Sequence, residues 1–502
     1  MCPFRKKSAI FPCSPTNTLI KLKGFHTFMG ADEPFLATHA DREVNRIASA
    51  PELAQWTSPS GVCLDLHLPA TVYPPREDTD LLISALGPHH LRQGSSWLEI
   101  GCGSGVISWW AATNGCRVTA CDINPLAVAT TRGLLAQHGL SARVHEGGPG
   151  PAVDGGLDQW GGEQLYDTVV WNTPYLSSDV LEAGALGPLE EAALTDTDDQ
   201  GLVPRLLELI AAGRLLNERG TAFVTVSSGG IGLDAQAVAW RHGLAMRSVA
   251  STKFGDGETL QVLAIWRPYV GSPVVSLPTT TSTNDEVLQH ATRPGASVRA
   301  GHQSAGRGRR GRDWETTPGA LLASWLVGSG PSVEHGTLDQ LRVGEGLIRL
   351  VRSWSGSGTD DVVLKWPNDV WIRSSSGLLV KSGGVLFEAL SRGDRHRVAL
   401  GIGLNTSTQE DGWCGVDGLG LDVPLDDLHQ AVHAMVASLF ERVEGLPEHD
   451  TDLDHLCAAV VAGASAFKDV FYRNEAVRVV GVDADGFLLL QDHPSSVSTP
   501  TI

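Results

Sequence analysis

"LEIGCGSGVIS", residues 98–108, passes from an apolar run through three alternating glycines into a second apolar run. A strand that turns at once into a helix needs backbone conformations open to glycine. The helix then presents free N–H groups at its first turn. The stretch predicts a strand–turn–helix with a ligand held over the turn. A dinucleotide-binding loop is one reading, but that fingerprint asks for GxGxxG. Here the spacing is GxGxG over Gly101, Gly103 and Gly105, with Glu99 two residues ahead. Asp122 ends the next strand-like run, "VTACD", where a carboxylate can accept both hydroxyls of a ribose.

The same alternation continues outward. "WLEI", "VTACD", "TVVWN" and "TAFVTV" predict strands, and "NPLAVATTRGLLAQHG" (124–139) and "LVPRLLELIAAGRLLNERG" (202–220) predict amphipathic helices with glycine ends. Strands alternating with helices imply βαβ units and a parallel sheet. "FGDGETLQVLAIWRP" predicts a closing antiparallel strand, and the Gly/Pro-rich segment 147–162 a surface loop. After "RPYVGSPVVSLP" (267–278), a proline-rich linker, the pattern changes to irregular strands and helices, "ALLASWLV", "VVLKW", "DVWIR", "GVLFEAL" and "VALGIGLN", which suggests α+β with a largely antiparallel sheet. "SWSGSG" and "RSSSG" read as solvated turns.

With 502 residues the chain exceeds one ordinary hydrophobic core, and 42% hydrophobic with 19% charged residues describes a globular protein. A net charge of −19 argues against general affinity for DNA or anionic membrane, which needs a basic face. The eight cysteines form no CxxC pair and no zinc-spaced cluster, and Cys116 and Cys121 read as buried strand thiols. No apolar run approaches the ~18 residues that span a bilayer. Residues 1–28 carry five Lys/Arg and no acid, which reads as an over-called start or an organellar transit segment; the former, with a cytoplasmic location, is preferred.

The glycine turn resembles motif I of class I S-adenosylmethionine methyltransferases. "VVWNTPYLSSD" (169–179) resembles the Asn-Pro-Pro-Tyr signature of members acting on planar amide or amino nitrogens. An amide nitrogen is a poor nucleophile because its lone pair is delocalised. Asn172 can accept its N–H and donate to its carbonyl, backbone carbonyls beside Pro174 can hold its second hydrogen, and Tyr175 can pack its plane. "VYPPREDTDLL" (72–82) resembles the corresponding segment of HemK/PrmC-like methyltransferases, in the branch that modifies the Gly-Gly-Gln glutamine of class-1 release factors. The resemblance covers about 60–267 and implies S-adenosylmethionine held by Thr79, Glu99, the three glycines, Asp122 and Asn172, with the acceptor at Asn172, Thr173, Pro174 and Tyr175. Two departures stand out. Thr173 replaces the signature's first proline and is expected to loosen the turn, and the acid near the adenine is represented only by Glu146.

Further on, "GRGRRGR" (306–312) puts four arginines and three glycines in seven positions. An RNA-binding Arg/Gly segment would be longer and repetitive. This one lies in "AGHQSAGRGRRGRDW" (300–314), with "TSTND" (281–285) before it and "LKWPND" (364–369), "VKSGGVLFEA" (380–389) and "GIGLN" (401–405) after it. Together these resemble the catalytic domain of biotin–protein ligases, from about 272 to 492. Such enzymes join biotin to AMP and pass the acyl group to a carrier-protein lysine. Two anions must meet, so cations have to offset their repulsion, and a glycine-hinged loop can close over the acyl-adenylate.

The resemblance implies that Ser282, Thr283, Asn284 and Gln303 hold biotin's ureido end, and that Arg307, Gly308 and Arg309 face its carboxylate. Arg309, Arg310 and Arg312 would reach phosphates, with Trp314 near the nucleotide. Lys365, Asn368 and Asp369 would serve ATP, Asp369 also its magnesium. Lys381 would bridge carboxylate and α-phosphate as the catalytic cation, with Arg309 beside it, and Asn405 is a further adenylate candidate. "AVRVVGVDADGFLLLQD" (476–492) reads as an abbreviated form of the family's C-terminal β-barrel.

The expected division is an N-terminal extension (1–59), an α/β Rossmann-like methyltransferase (60–267), a linker (268–278), an α+β class II synthetase-like ligase (279–470), and a short β segment and tail (471–502). Implied ligands are S-adenosylmethionine, ATP with magnesium, and biotin as substrate. Implied partners are a biotin carboxyl carrier protein, a class-1 release factor and a small activator subunit, with no DNA and no membrane. The alternatives are an N-terminal half that only binds cofactor or partners, or one that methylates another amide, a lysine or a nucleic-acid amino group.

Overall fold

The computed structural model describes residues 52–149, 156–174, 202–227, 234–253, 259–314, 318–331, 335–356, 361–408, 414–467, 470–493 and 496–497. The first half opens with a hairpin of β1 (Glu52–Thr57) and β2 (Cys63–Leu68), whose alternate residues Leu64, Leu66 and Leu68 are buried. Helix α1 (Glu77–Ala85) follows. Then come β3 (Ser96–Ile100), α2 (Val106–Thr113), β4 (Arg117–Asp122), α3 (Pro125–Gln137), β5 (Arg143–Glu146), α4 (Leu157–Trp160) and β6 (Tyr166–Asn172). Next are α5 (Leu202–Ala211), β7 (Leu216–Ser227), α6 (Ala235–Arg241), β8 (Ala245–Lys253) and β9 (Thr259–Trp266).

The strands form one sheet in the order β5-β4-β3-β6-β7-β9-β8. Its β5-to-β7 part is parallel, and β9 runs antiparallel to both of its neighbours. Strand order reverses between β3 and β6. In open α/β sheets a ligand binds beyond the carboxyl ends of the strands at such a point. The glycine turn leaves β3 and the Asn172 turn leaves β6, so the topology delivers both to one place.

The second half contains β10 (Val274–Leu277), α7 (Thr283–His290), β11 (Ser297–Ala300), β12 (Leu321–Gly330), α8 (Thr337–Ser355), β13 (Val362–Lys365) and β14 (Asp369–Arg373). They are followed by β15 (Leu379–Arg392), β16 (Arg395–Leu404), α9 (Leu425–Phe440) and α10 (Leu453–Ala466). Its sheet runs β10-β11-β12-β16-β15-β14-β13 and is antiparallel except at β10/β11. Two small hairpins close the chain, β17 (Val470–Tyr472) with β18 (Glu475–Val477) and β19 (Val479–Val482) with β20 (Leu488–Leu490).

Several expectations need correction. The helix over 202–220 stops at Ala211, because Gly213 takes a left-handed φ of 72° and the chain enters β7 at Leu216. The surface loop 147–162 contains α4, with Leu157 and Trp160 buried. "SWSGSG" carries the last turn of α8. The end of the N-terminal extension is β1, with Trp56 in the core of the first half.

The linker is also no free tether. Residues 274–277 are an edge strand of the second sheet, and Tyr269 is 5% exposed. Tyr269 joins Ala237, Trp240, Ala245 and Trp266 in the same buried cluster as Leu341, Leu347, Val432 and Met435 from α8 and α9. Arg247, on β8 and 2% exposed, donates from Nε to Ser438 O at 3.0 Å, from Nη1 to Pro447 O at 2.6 Å and from Nη2 to Glu441 O at 2.9 Å. These carbonyls lie at or beyond the carboxyl end of α9, where a cation is favoured. Trp240 Nε1 donates to Ser438 Oγ (2.8 Å) and Trp266 Nε1 to Glu441 Oε2 (2.8 Å). One buried cluster thus spans both halves, beside two further clusters whose buried residues all belong to the first half.

Candidate functional site

At the switch point, Gly101, Gly103 and Gly105 have φ of 67°, 46° and 83°, the region that favours glycine. A Cβ on Gly105 would come within 2.9 Å of Thr131 Cα, so the turn packs too closely for a side chain. Gly103 N donates to Asp122 Oδ2 and Asn124 N to Asp122 Oδ1, each at 2.9 Å. Asp122 therefore ties the glycine turn to the end of β4, and burial raises its pKa. Glu99 is buried and accepts from Ser108 Oγ, and burial pushes its pKa up to about 8. Its carboxyl thus faces the first turn of α2.

Asn172 ends β6. Its Nδ2 donates to Asp78 Oδ2 at 3.0 Å, while its Oδ1 is buried and has no partner among the described residues. Asp78, 4% exposed on α1, also accepts from Thr79 N at 2.6 Å. The Thr79 hydroxyl accepts from Arg76 N at 3.4 Å, capping α1 beside the site. One N–H of the Asn172 amide thus serves Asp78, and the expected donation to an acceptor carbonyl falls to the other. Thr173 is corrected as well, for its buried hydroxyl donates to Thr225 O and fastens the turn to β7 rather than loosening it. Pro174 is half-buried beside it, and Tyr175 lies outside the described residues. Asp78 was missed as a site residue, although it stands inside the quoted "VYPPREDTDLL".

In the second half, Ser282, Thr283 and Asn284 start α7 and are all buried. Gln303 Oε1 accepts from Thr283 N (2.7 Å), and Ser324 Oγ lies 2.7 Å from Thr283 Oγ1 and 2.6 Å from Asn284 Oδ1. Asn284 Nδ2 donates to Glu388 Oε2 at 2.7 Å. Residues 306–314 form a short hairpin, closed by Trp314 N to Gly306 O (2.9 Å) and Gly308 N to Arg312 O (2.7 Å).

Arg307 is not poised over a carboxylate ligand. It donates to both oxygens of Asp285 (2.7 and 2.8 Å) and both of Glu388 (2.9 Å each), and these bonds raise its pKa. Two carboxylates outweigh its single charge, so Arg307 anchors the base of the hairpin to α7 and β15. Asp285 and Glu388 had stood in quoted motifs without a role.

Beyond this anchor the hairpin rises toward the remaining cations. Arg309 Nη1 donates to Asn368 Oδ1 at 3.3 Å, and burial, then Arg310, lowers its pKa. Arg310 and Arg312 are exposed, Arg310 with a left-handed φ of 59°. Lys381 Nζ pairs with Asp369 Oδ1 at 2.8 Å and sits 5.5 Å from the centre of the Trp314 ring.

That ring lies against glycines of β15 and β16. A Cβ on Gly403 would meet it at 2.5 Å and one on Gly384 at 3.3 Å. Trp314 Nε1 is buried without a partner among the described residues. Lys365 lies over Trp371 (4.7 Å) and Phe467 (4.9 Å), and burial lowers its pKa, so its ammonium rests on aromatic faces. Asn405 is 1% exposed, its N–H donating to Ser382 O at 2.8 Å. Among the described residues no three His, Cys, Asp or Glu side chains gather to hold a metal. No helix among them is long and apolar enough to cross a membrane.

Fold and sites together define a two-part enzyme, an α/β domain with a glycine-turn cofactor site joined to an α+β domain that gathers cations on a sheet face. The model of the biotin/lipoate A/B protein ligase family matches residues 272–405, and that of the methyltransferase small domain matches 77–193. The Bifunctional ligase/repressor BirA of Salmonella typhimurium is 30% identical over 238 residues, covering 43% of this chain and 69% of that protein. The Ribosomal RNA small subunit methyltransferase C of Alcanivorax borkumensis is 32% identical over 99 residues, 20% of this chain and 28% of that one. The solved Mtq2–Trm112 complex from E. cuniculi, described as responsible for methylation of the eRF1 translation termination factor, is 19% identical; the match covers 39% of this chain and 99% of that one with a TM-score of 0.27. The chain belongs to the biotin–protein ligase family, with a small methyltransferase domain fused ahead of the ligase.

Proposed function

We propose that the chain biotinylates a carrier-protein lysine through biotinoyl-AMP and methylates the side-chain nitrogen of a protein glutamine, on a class-1 release factor. The observation that carries the methyl-acceptor reading is Asn172 Oδ1, a buried acceptor without a partner among the described residues. A buried carbonyl oxygen seeks an N–H donor. Its own amide is held by Asp78 at 3.0 Å, so the oxygen has a fixed aim. An incoming carboxamide can donate one N–H to Asn172 and the other to the backbone carbonyls beside Pro174, which leaves the nitrogen lone pair toward the cofactor. Gly101, Gly103, Gly105 and Asp122 hold the nucleoside end of S-adenosylmethionine, which supplies the electrophilic methyl when bound. The acceptor nitrogen would take that methyl in place of one of its protons, which is released to solvent. A small activator subunit is proposed as a further partner.

In the ligase half, Lys381 and Arg309 stand where carboxylate and α-phosphate meet. A carboxylate oxygen attacks phosphorus, pyrophosphate leaves, and the carrier lysine then displaces AMP to form an amide. The Asp369 pair holds Lys381 oriented until substrate enters. Arg307 fixes the foot of the hairpin while Arg310 and Arg312 extend from its tip.

Intact-mass and peptide mass spectrometry of both reactions tests the whole reading. The purified protein is supplied with S-adenosylmethionine, a Gly-Gly-Gln peptide and release factor, and separately with biotin, ATP and carrier protein. Methyl on glutamine is expected. Methyl on ribosomal RNA alone would refute the acceptor assignment. A net charge of −19 disfavours that outcome, because RNA binding rests on cationic contacts with phosphate.

A further inference from the structure

A cavity of about 300 Å³ lies where the two halves meet, within the size range of small-ligand sites. Neither reaction above uses it. Val226 and Ser227 of β7 and Gln261 of β9 line one side, and Arg342 and Glu345 of α8 with Thr451 line the other. Its position ties it to the methyl acceptor. Thr225 is the register partner of Asn172 and its carbonyl takes the Thr173 hydroxyl. Val226 and Ser227 follow on the same strand, roughly 3–7 Å further along. The cavity thus begins beside the turn that grips the acceptor.

Its chemistry suits a polypeptide. The cations Arg247 and Arg349 are already committed, the first to backbone carbonyls and the second to Asp234. Asp450, Asp452 and Glu345 offset the charge that is left, so the lining carries no positive excess for a phosphate chain. Burial pushes His449 down to about 4, which leaves that imidazole neutral. Three buried polar atoms of the lining have no partner among the described residues: Arg342 Nε, a donor, His449 Nδ1, and Thr451 Oγ1, a donor or acceptor. A peptide group offers one acceptor and one donor.

We infer that this junction cavity binds the polypeptide flanking the methylated side chain, so that the ligase half supplies part of the methyltransferase's acceptor site. The inference rests on the polypeptide-acceptor reading above. The test uses full-length protein carrying Arg342→Met or Thr451→Val, neither of which is placed in the catalytic machinery. Methylation of release factor and of a Gly-Gly-Gln peptide is followed over acceptor concentration, with S-adenosylmethionine affinity and biotinylation as controls. Each variant is expected to raise the acceptor KM about 5- to 50-fold, the scale of one lost hydrogen bond to a buried or charged group. kcat should stay within about twofold and both controls should be unchanged. An unchanged KM in both variants means the cavity holds only solvent and overturns the inference.

Should either variant lose both controls through misfolding, hydrogen–deuterium exchange on the unmodified protein decides. Protection of residues 337–345 and 449–452 by the peptide supports the site, and its absence refutes it. Failure of the glutamine reading is seen in the unmodified protein alone. If another protein side chain is methylated, the same KM comparison is run on that acceptor. If only nucleic acid is methylated, both proposals fall.

Discussion

Replacing Arg247 with alanine tests whether the two halves are one cooperative body. The guanidinium is 2% exposed and serves the carbonyls of Ser438, Pro447 and Glu441, each within 3.0 Å. Burial lowers its pKa, its bonds are to neutral carbonyls, and its charge also faces the carboxylate of Glu441, which its removal leaves without that cation. Also stranded is a set of carbonyls at the end of α9, together with the space the side chain filled above Trp266, 5.1 Å away. Hydrogen bonds to a charged group contribute about 1.5–3 kcal/mol each and are not additive, so about 4 kcal/mol is a reasonable expectation. For 502 residues unfolding together, the entropy at the midpoint is roughly 1 kcal/mol/K, which converts that loss to about 4 °C. Calorimetry should show this drop, or a split of one transition into two. Biotinylation and S-adenosylmethionine binding should then weaken at the same reduced temperature. A variant that melts like the parent, with both activities intact, would refute the shared core as a source of stability.

Asp122→Ala should weaken S-adenosylmethionine binding by about 2–4 kcal/mol and free the Gly103 and Asn124 amides, while biotinylation at 25 °C stays near the parent level; calorimetric titration reads the first and blotting the second. Asn172→Ala should leave cofactor affinity within a few-fold but lower methyl turnover by more than about 100-fold, and a drop under about tenfold would sink the amide-positioning role. Lys381→Ala should slow pyrophosphate release by roughly 10²–10⁴. Arg309→Gly should still form biotinoyl-AMP but leak it, labelling a bystander protein; absence of both leakage and lowered biotin affinity counts against the lid. Burial pushes His90, His429, His433 and His449 down to about 4. A lowered folded pKa means their contribution is complete above the ordinary histidine value near 6.5 and is lost as pH falls toward 4. Thermal melts should therefore show stability declining across that window, and a flat profile would refute it.

Local chemistry was legible in the chain and partnership at long range was not. Three glycines on alternate positions, an acid at the next strand's end and Asn-Thr-Pro-Tyr after another strand announce their backbone needs within a few residues. Each described member of that set lies where the strand order reverses. The arginine loop was equally visible, but its charges could not be sorted from sequence. Arg307 and Arg309 are two residues apart, yet only Arg307 meets Asp285 and Glu388, which reach it from α7 and β15. Thr173 looked like a weakened proline because the carbonyl it binds, Thr225, is 52 positions away.

The linker misled for a related reason. Prolines and the absence of a helical period mark a change of pattern, and a change of pattern suggests a tether. Tyr269 and the strand at 274–277 show the opposite, since a segment with no period of its own can be held by other parts of the chain. The decisive residues, Trp240, Arg247, Ser438 and Glu441, belong to no motif and are 191 to 198 positions apart in the pairs that bind. A fusion joined only by a tether would have left Arg247 a solvated charge on β8. Here it is buried under the carboxyl end of a ligase helix, and a buried arginine without those carbonyls would be costly. The end of α9 and the residues after it thus cover β8, the edge strand of the methyltransferase sheet, so separate expression of either half would uncover that seam.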